Sequence, residues 1–122
     1  VQVMAAPPAE AVATARSLSE RQDFDWKNPN RFRALLGGLA GNHAGFHAAD
    51  GSGYDFTADW LMRMDRANPQ IAARMSTAFE TWPRYDATRR ARALAALQRI
   101  AAMEGISRNL REMVSRMIAA GA

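Results

Sequence analysis

The chain has 122 residues, no cysteine and a formal net charge of +4, and 48% of its residues are hydrophobic. That is the length of one domain with enough apolar content for a packed core, which excludes a disordered chain. Disulfides and thiolate metal sites are excluded as well, the cysteine-free composition fits a reducing compartment, and no apolar run approaches the roughly 20 residues that cross a bilayer.

Six segments carry helical period and none carries strand alternation. The first runs from about Pro8 to Glu20, with Val12, Ala15 and Leu18 on one side. It follows a start without methionine or signal-peptide n-region, as expected of a fragment or processed product. The second opens where Asn28 can cap and Pro29 can take the first helical position. Phe32, Leu35, Leu36, Leu39 and Ala40 then form an apolar stripe, stopped by Gly41 and Asn42. Residues 43–53 read as a loop, because Gly45, Gly51 and Gly53 permit angles that helices do not use.

The third helix is expected over roughly Tyr54 to Ala67, with Phe56, Trp60, Leu61 and Met64 inward. Asn68 and Pro69 repeat the start signal, and Ile71, Met75, Ala78, Phe79 and Trp82 stripe a fourth helix that Pro83 ends. Asp86 caps a fifth helix reaching about Glu104, with Leu94, Leu97, Ile100 and Ala101 apolar and Gly105 as its breaker. Ser107 caps the last, where Leu110, Met113, Val114, Met117 and Ile118 are spaced for burial. Short connections make neighbours antiparallel, and the recurrence of Asn-Pro starts points to stacked helix pairs. The fold class is therefore all-α, a stack of about six helices in antiparallel pairs.

Chemistry is sparse. His43 and His47 are the only histidines, and the glycine-rich segment around them carries no glutamate between the two. A hydrolytic zinc site needs three ligands and an open position, so His47 reads as a residue that ties the loop to a neighbouring helix. Asp50-Gly51-Ser52-Gly53 lacks the alternating oxygens of a calcium loop and the lysine of a phosphate cradle, and reads as a turn. Apart from Lys27 the basic residues are arginines, spread along the chain among acids. The one dense patch, Arg84, Arg89, Arg90 and Arg92 beside Trp82 and Tyr85, reads as a solvated helix start rather than a phosphate site, so no nucleic-acid partner is expected. Gln70 and Arg74 lie one turn apart and flank the stripe of Ile71 and Met75, so they can present an amide and a guanidinium side by side. Arg31 and Arg33 can add to that surface.

Four pieces of wording carry a resemblance: Asn28-Pro29-Asn30-Arg31, the turn from Phe46 to Tyr54, the start from Asn68 to Arg74, and Arg84-Tyr85-Asp86. Together they resemble the C-terminal helical domain of bacterial aminopeptidase N, a zinc metallopeptidase family of the gluzincin type. The resemblance covers nearly the whole chain and departs around His43 and Gly45. It implies a right-handed superhelix of helix pairs, of HEAT or armadillo type. Residues 1–122 would then be a single helical domain, a fragment of a larger multidomain cytoplasmic enzyme. It implies a lid over the active-site cavity, with peptide substrate and the upstream catalytic domain of the same chain as partners and no membrane partner. Zinc, its ligands and the glutamate base would lie outside this fragment, which would bind no cofactor and be non-catalytic alone. By matching positions, Gln70 would lie near the first side-chain pocket, and Arg74 and Arg33 would face the peptide. A free-standing helical-repeat module that binds a protein partner is the alternative from another class, and a nucleic-acid binder using the Arg84–Arg92 patch is a second.

Overall fold

The computed structural model describes residues 10–20, 28–41, 46–47 and 51–121. Six α-helices and two 3-10 turns, with no strand, make up the described residues: α1 (Ala11–Ser19), α2 (Pro29–Gly41), α3 (Ser52–Ala67), α4 (Pro69–Met75), α5 (Ala87–Ala101) and α6 (Arg108–Ala120). The turns, Ser76–Phe79 and Trp82–Arg84, lie between α4 and α5. Helices α1 and α2, α3 and α4, and α5 and α6 pack as pairs. The pairs then stack, since α3 touches α1 and α5 while α4 touches α2 and α6. The result is two rows, a first of α1, α3 and α5 and a second of α2, α4 and α6.

The caps that start the second-row helices recur at Asn28, Asn68 and Ser107, roughly forty residues apart, the period of a helical repeat. Asn28 accepts from the Asn30 N–H at 3.0 Å, Asn68 from Ile71 at 3.2 Å and Ser107 from Leu110 at 3.1 Å. Each removes an orphan donor from the first turn. In α5 the same task falls to Asp86, which accepts from the Arg89 N–H at 3.2 Å.

Helix α3 sits between its neighbours and is buried on most of its circumference. Tyr54, Phe56, Ala58, Leu61 and Met64 are all at most 2% exposed, while Asp55, Asp59, Arg63 and Arg66 form an exposed edge. Phe32, Leu35, Leu36 and Leu39 of α2 join this core, as do Leu97 and Ile100 of α5 and Leu110 and Val114 of α6. Met64 and Met117 are buried and Met62, Met75 and Met103 pack against the core, as expected of flexible gap-fillers. Pro8 and the side chains of Leu18 and Ala40, assigned to helix or core from the sequence, lie outside what is described.

Three boundaries differ from expectation. Helix α3 begins at Ser52 rather than Tyr54, because Gly51 takes φ +78° while Ser52 and Gly53 already take helical angles. The fourth helix does not run to Trp82. The Ser76 hydroxyl donates to the Ala73 carbonyl at 2.6 Å and the Thr77 hydroxyl to the Arg74 carbonyl at 2.8 Å. Those carbonyls would otherwise serve the next N–H groups of an α-helix, so the chain tightens into the 3-10 turn from Ser76 to Phe79. Pro83 lies inside the second 3-10 turn instead of ending a long helix. Helix α5 stops at Ala101, before Glu104, and Gly105 sits in the turn beyond at φ +78°.

Candidate functional site

The second row presents one exposed face. Counted from the caps at Asn28, Asn68 and Ser107, the second position is Asn30, Gln70 and Asn109 in turn, a carboxamide on every helix. The fifth, sixth and ninth positions fall on the same side of a 3.6-residue helix. They supply Arg33 from α2, Arg74 from α4 and Arg116 from α6. All six side chains are exposed. The structure thus places Gln70, Arg74 and Arg33, the three residues singled out in the sequence, on one row and one face. Asn109 and Arg116 belong to the same face and were not singled out, because their relation to Gln70 and Arg74 emerges only once the third cap is aligned with the first two.

This face is basic. It carries Arg33, Arg74 and Arg116, and its groove adds Arg108 against a single acid, Glu112, so it favours an anionic or carbonyl-rich ligand. Glu112 is occupied by Arg108 at 2.9 Å. Between α4 and α6 the face folds into an open groove of about 390 Å³, lined by Ala73, Arg108, Asn109, Glu112, Met113 and Arg116.

The first row differs in that its charges are largely spent internally. Arg99 bridges Asp59 at 2.9 Å and Asp55 at 3.4 Å, which ties α5 to α3, and the hydrogen bond that Arg99 donates to Asp59 is the main cause that raises its pKa. Arg63 lies over Trp60 at 4.9 Å and Arg16 over Phe56 at 5.3 Å. These residues border a smaller recess of about 220 Å³.

At the start of α5, Arg89 pairs with Asp86 at 2.7 Å and donates through Nε to the His47 carbonyl at 2.6 Å. The hydrogen bond that Asp86 accepts from the Arg89 side chain holds its carboxyl below its ordinary range. Arg92 lies against Gly51, and Trp82 is buried, with its Nε1–H donating to the Met117 carbonyl at 2.9 Å. The arginine patch read from the sequence therefore anchors the fold at Arg89 and Arg92 and offers no exposed Trp82 ring for base stacking.

His47 does tie its loop to its neighbours. Its Nδ1 meets the Tyr54 hydroxyl at 2.5 Å and its ring stacks on Tyr85 at 3.9 Å. Burial pushes the Tyr54 phenol up to about 12 and keeps it protonated. His43 and Asp50 lie outside the described residues. Among the described residues no three histidine, aspartate or glutamate side chains converge as a metal site. No helix among them is long and apolar enough to cross a membrane.

Two rows of stacked antiparallel pairs with a continuous exposed face define a helical-repeat domain of the armadillo type. The family model described as domain of unknown function (DUF3458_C) ARM repeats matches residues 1–119, and the chain belongs to that family. It is 40% identical over 114 residues to aminopeptidase N of Escherichia coli strain K12, and 34% identical over 113 residues to aminopeptidase N of Haemophilus influenzae. Those matches take in 93% and 92% of this chain but 13% of each relative. A crystal structure of Legionella pneumophila aminopeptidase A in complex with aspartic acid superposes with a TM-score of 0.89 and 33% identity, covering 98% of this chain and 14% of that one. The resemblance read from Asn28–Arg31, Phe46–Tyr54 and Asn68–Arg74 thus holds over nearly the full chain.

Proposed function

We propose that this chain is the C-terminal lid of a zinc-dependent, cytoplasmic aminopeptidase that removes single N-terminal residues from peptides. The lid closes the substrate cavity with its second-row face. Gln70 contacts the first side-chain pocket, and Arg74 and Arg33 meet the peptide as it passes. The zinc, its ligands and the glutamate base belong to the upstream catalytic domain, and this chain performs no chemical step alone. The observation that carries the reading is the single exposed face that unites Gln70, Arg74 and Arg33 in a domain whose relatives are aminopeptidases. A carboxamide offers two donors and an acceptor, and a guanidinium five donors, which suits peptide carbonyls and carboxylates.

The test is steady-state kinetics of the full-length protein that contains this chain, with Gln70→Ala. A residue that touches substrate but activates no water alters selectivity among first-residue side chains through KM more than kcat. An unchanged selectivity profile would remove Gln70 from the pocket. Absence of aminopeptidase activity in the full-length protein would favour the protein-binding module.

A further inference from the structure

We infer that the groove between α4 and α6 seats the downstream carboxylate of a peptide, with Arg116 as its anchor and Asn109 holding the peptide backbone, a proposal that rests on the aminopeptidase reading above. Asn109 occupies the register position of Gln70 on the next helix of the row, so the row repeats an exposed carboxamide one helix further on. Neither the Asn109 carboxamide nor the Arg116 guanidinium has a partner among the described residues. The other two charges of the groove, Arg108 and Glu112, neutralise each other at 2.9 Å, which leaves Arg116 as the charge a ligand meets. Ala73 and Met113 supply apolar surface for a small side chain. The groove therefore matches a chain that carries backbone amides along its length and one negative charge at its end.

The reach follows from geometry. From Gln70 to Arg116 is one interaxial step of about 8–10 Å and about 10 Å along the helix axis. The diagonal is roughly 14 Å, or about four residues of extended chain. With its first residue at Gln70, a tetrapeptide brings its carboxylate to the Arg116 guanidinium, whereas a dipeptide falls short.

The experiment measures kcat/KM of the full-length protein on tetra-alanine, on its C-terminal amide, and on di-alanine as the reference too short to reach. The unmodified protein is expected to prefer the tetrapeptide acid to its amide. Arg116→Ala should cut that preference by about fivefold or more, through KM, as loss of one charge-assisted contact does. Arg116→Lys should retain part of it as a point charge. Arg111→Ala, an exposed arginine on α6 outside the groove, controls for net charge and should leave the acid-to-amide ratio as it was. An acid-to-amide ratio that is the same in Arg116→Ala, or that falls equally in Arg111→Ala, overturns the inference and leaves the aminopeptidase reading intact. Failure of the unmodified protein to turn over any of the three substrates overturns both.

Discussion

Asp65 near the end of α3 receives both the backbone N–H and the hydroxyl of Ser107, 42 residues further along the chain. The N–H contact is 2.8 Å, and Asp65 is 3% exposed. Ser107 in turn caps α6, so one buried carboxylate fixes where the third pair's second helix begins against the second pair. That start sets the register of α6, and with it the positions of Asn109 and Arg116 on the exposed face.

Asp65→Ala should therefore destabilise the domain by about 2–3 kcal/mol, because it leaves a partly buried N–H and hydroxyl without their charged acceptor. Asp65→Asn, which keeps an acceptor, should cost less. Urea denaturation followed by circular dichroism separates the two, and equal loss in both variants would show that charge rather than hydrogen bonding matters.

The link between Asp65 and Ser107 marks the limit of what was legible in the residues. The caps at Asn28, Asn68, Asp86 and Ser107 could be read directly, because capping is a contact within three residues. The stripes from Phe32 to Leu39 and from Leu110 to Met117 were legible for the same local reason, since periodicity reports one helix's own buried face. The end of α4 was missed because Ser76 and Thr77 can serve a helix or undercut it, and only the hydroxyl positions decide. The reach of Asp65 to Ser107 depends on how pairs stack, which no local spacing encodes. Gln70, Arg74 and Arg33 were found through resemblance and local spacing, whereas their common face needed the row.

Trp82 and Gly121 provide the second test. The Trp82 Nε1–H satisfies the Met117 carbonyl in the last turn of α6, a group with no helical partner of its own. A Cβ on Gly121 would fall inside contact distance of the Trp82 ring. Gly121→Ala should displace the end of α6 from Trp82, shifting tryptophan emission to the red and lowering stability by about 1–3 kcal/mol. Trp82→Phe keeps most of the packing and should cost about 1 kcal/mol through the lost hydrogen bond. Unchanged emission in Gly121→Ala would mean the chain end moves away without cost.

Gly51 tests the turn that launches α3. Its φ of +78° is costly for any residue with a Cβ, and the added carbon would sit 3.1 Å from Cδ of Arg92. Gly51→Ala should lose about 1 kcal/mol or more in thermal or urea unfolding, and Gly51→Val more still. A variant as stable as the parent would show that the turn rearranges freely.

Tyr54 gives a pH signature. Its phenol is raised from 10.0 to about 12 by burial first, with Tyr85 and Asp86 adding and Arg89 opposing. The folded state therefore holds this proton more tightly than the unfolded chain does. Its contribution is fully present below pH 10 and is lost as pH rises from about 10 to about 12. Stability should fall across that window by about 2–3 kcal/mol in excess of the background slope. Tyr54→Phe should remove this excess slope, while losing the His47 contact at every pH. An identical slope in the variant would assign the alkaline transition to another group.

Arg74 tests the proposed lid most directly. It is exposed one turn from Gln70, and in the closed enzyme it would face the peptide beyond the first residue. A guanidinium there can hold a downstream carbonyl or carboxylate, which a peptide offers and an amino-acid anilide does not. Arg74→Ala should therefore raise KM on a short peptide while leaving the matched anilide much less affected. Losing one charge-assisted contact costs about 1.5–3 kcal/mol if closure shields the site from water, and less if the cavity stays wet. The fold itself should be untouched, since the Arg74 side chain contributes none of the buried core and only its carbonyl accepts from Thr77. Steady-state kinetics on the peptide and the anilide, beside a urea curve for each protein, separate these effects. Equal loss on both substrates with unchanged stability would place Arg74 at the first-residue site, and no loss on either would make it a surface residue.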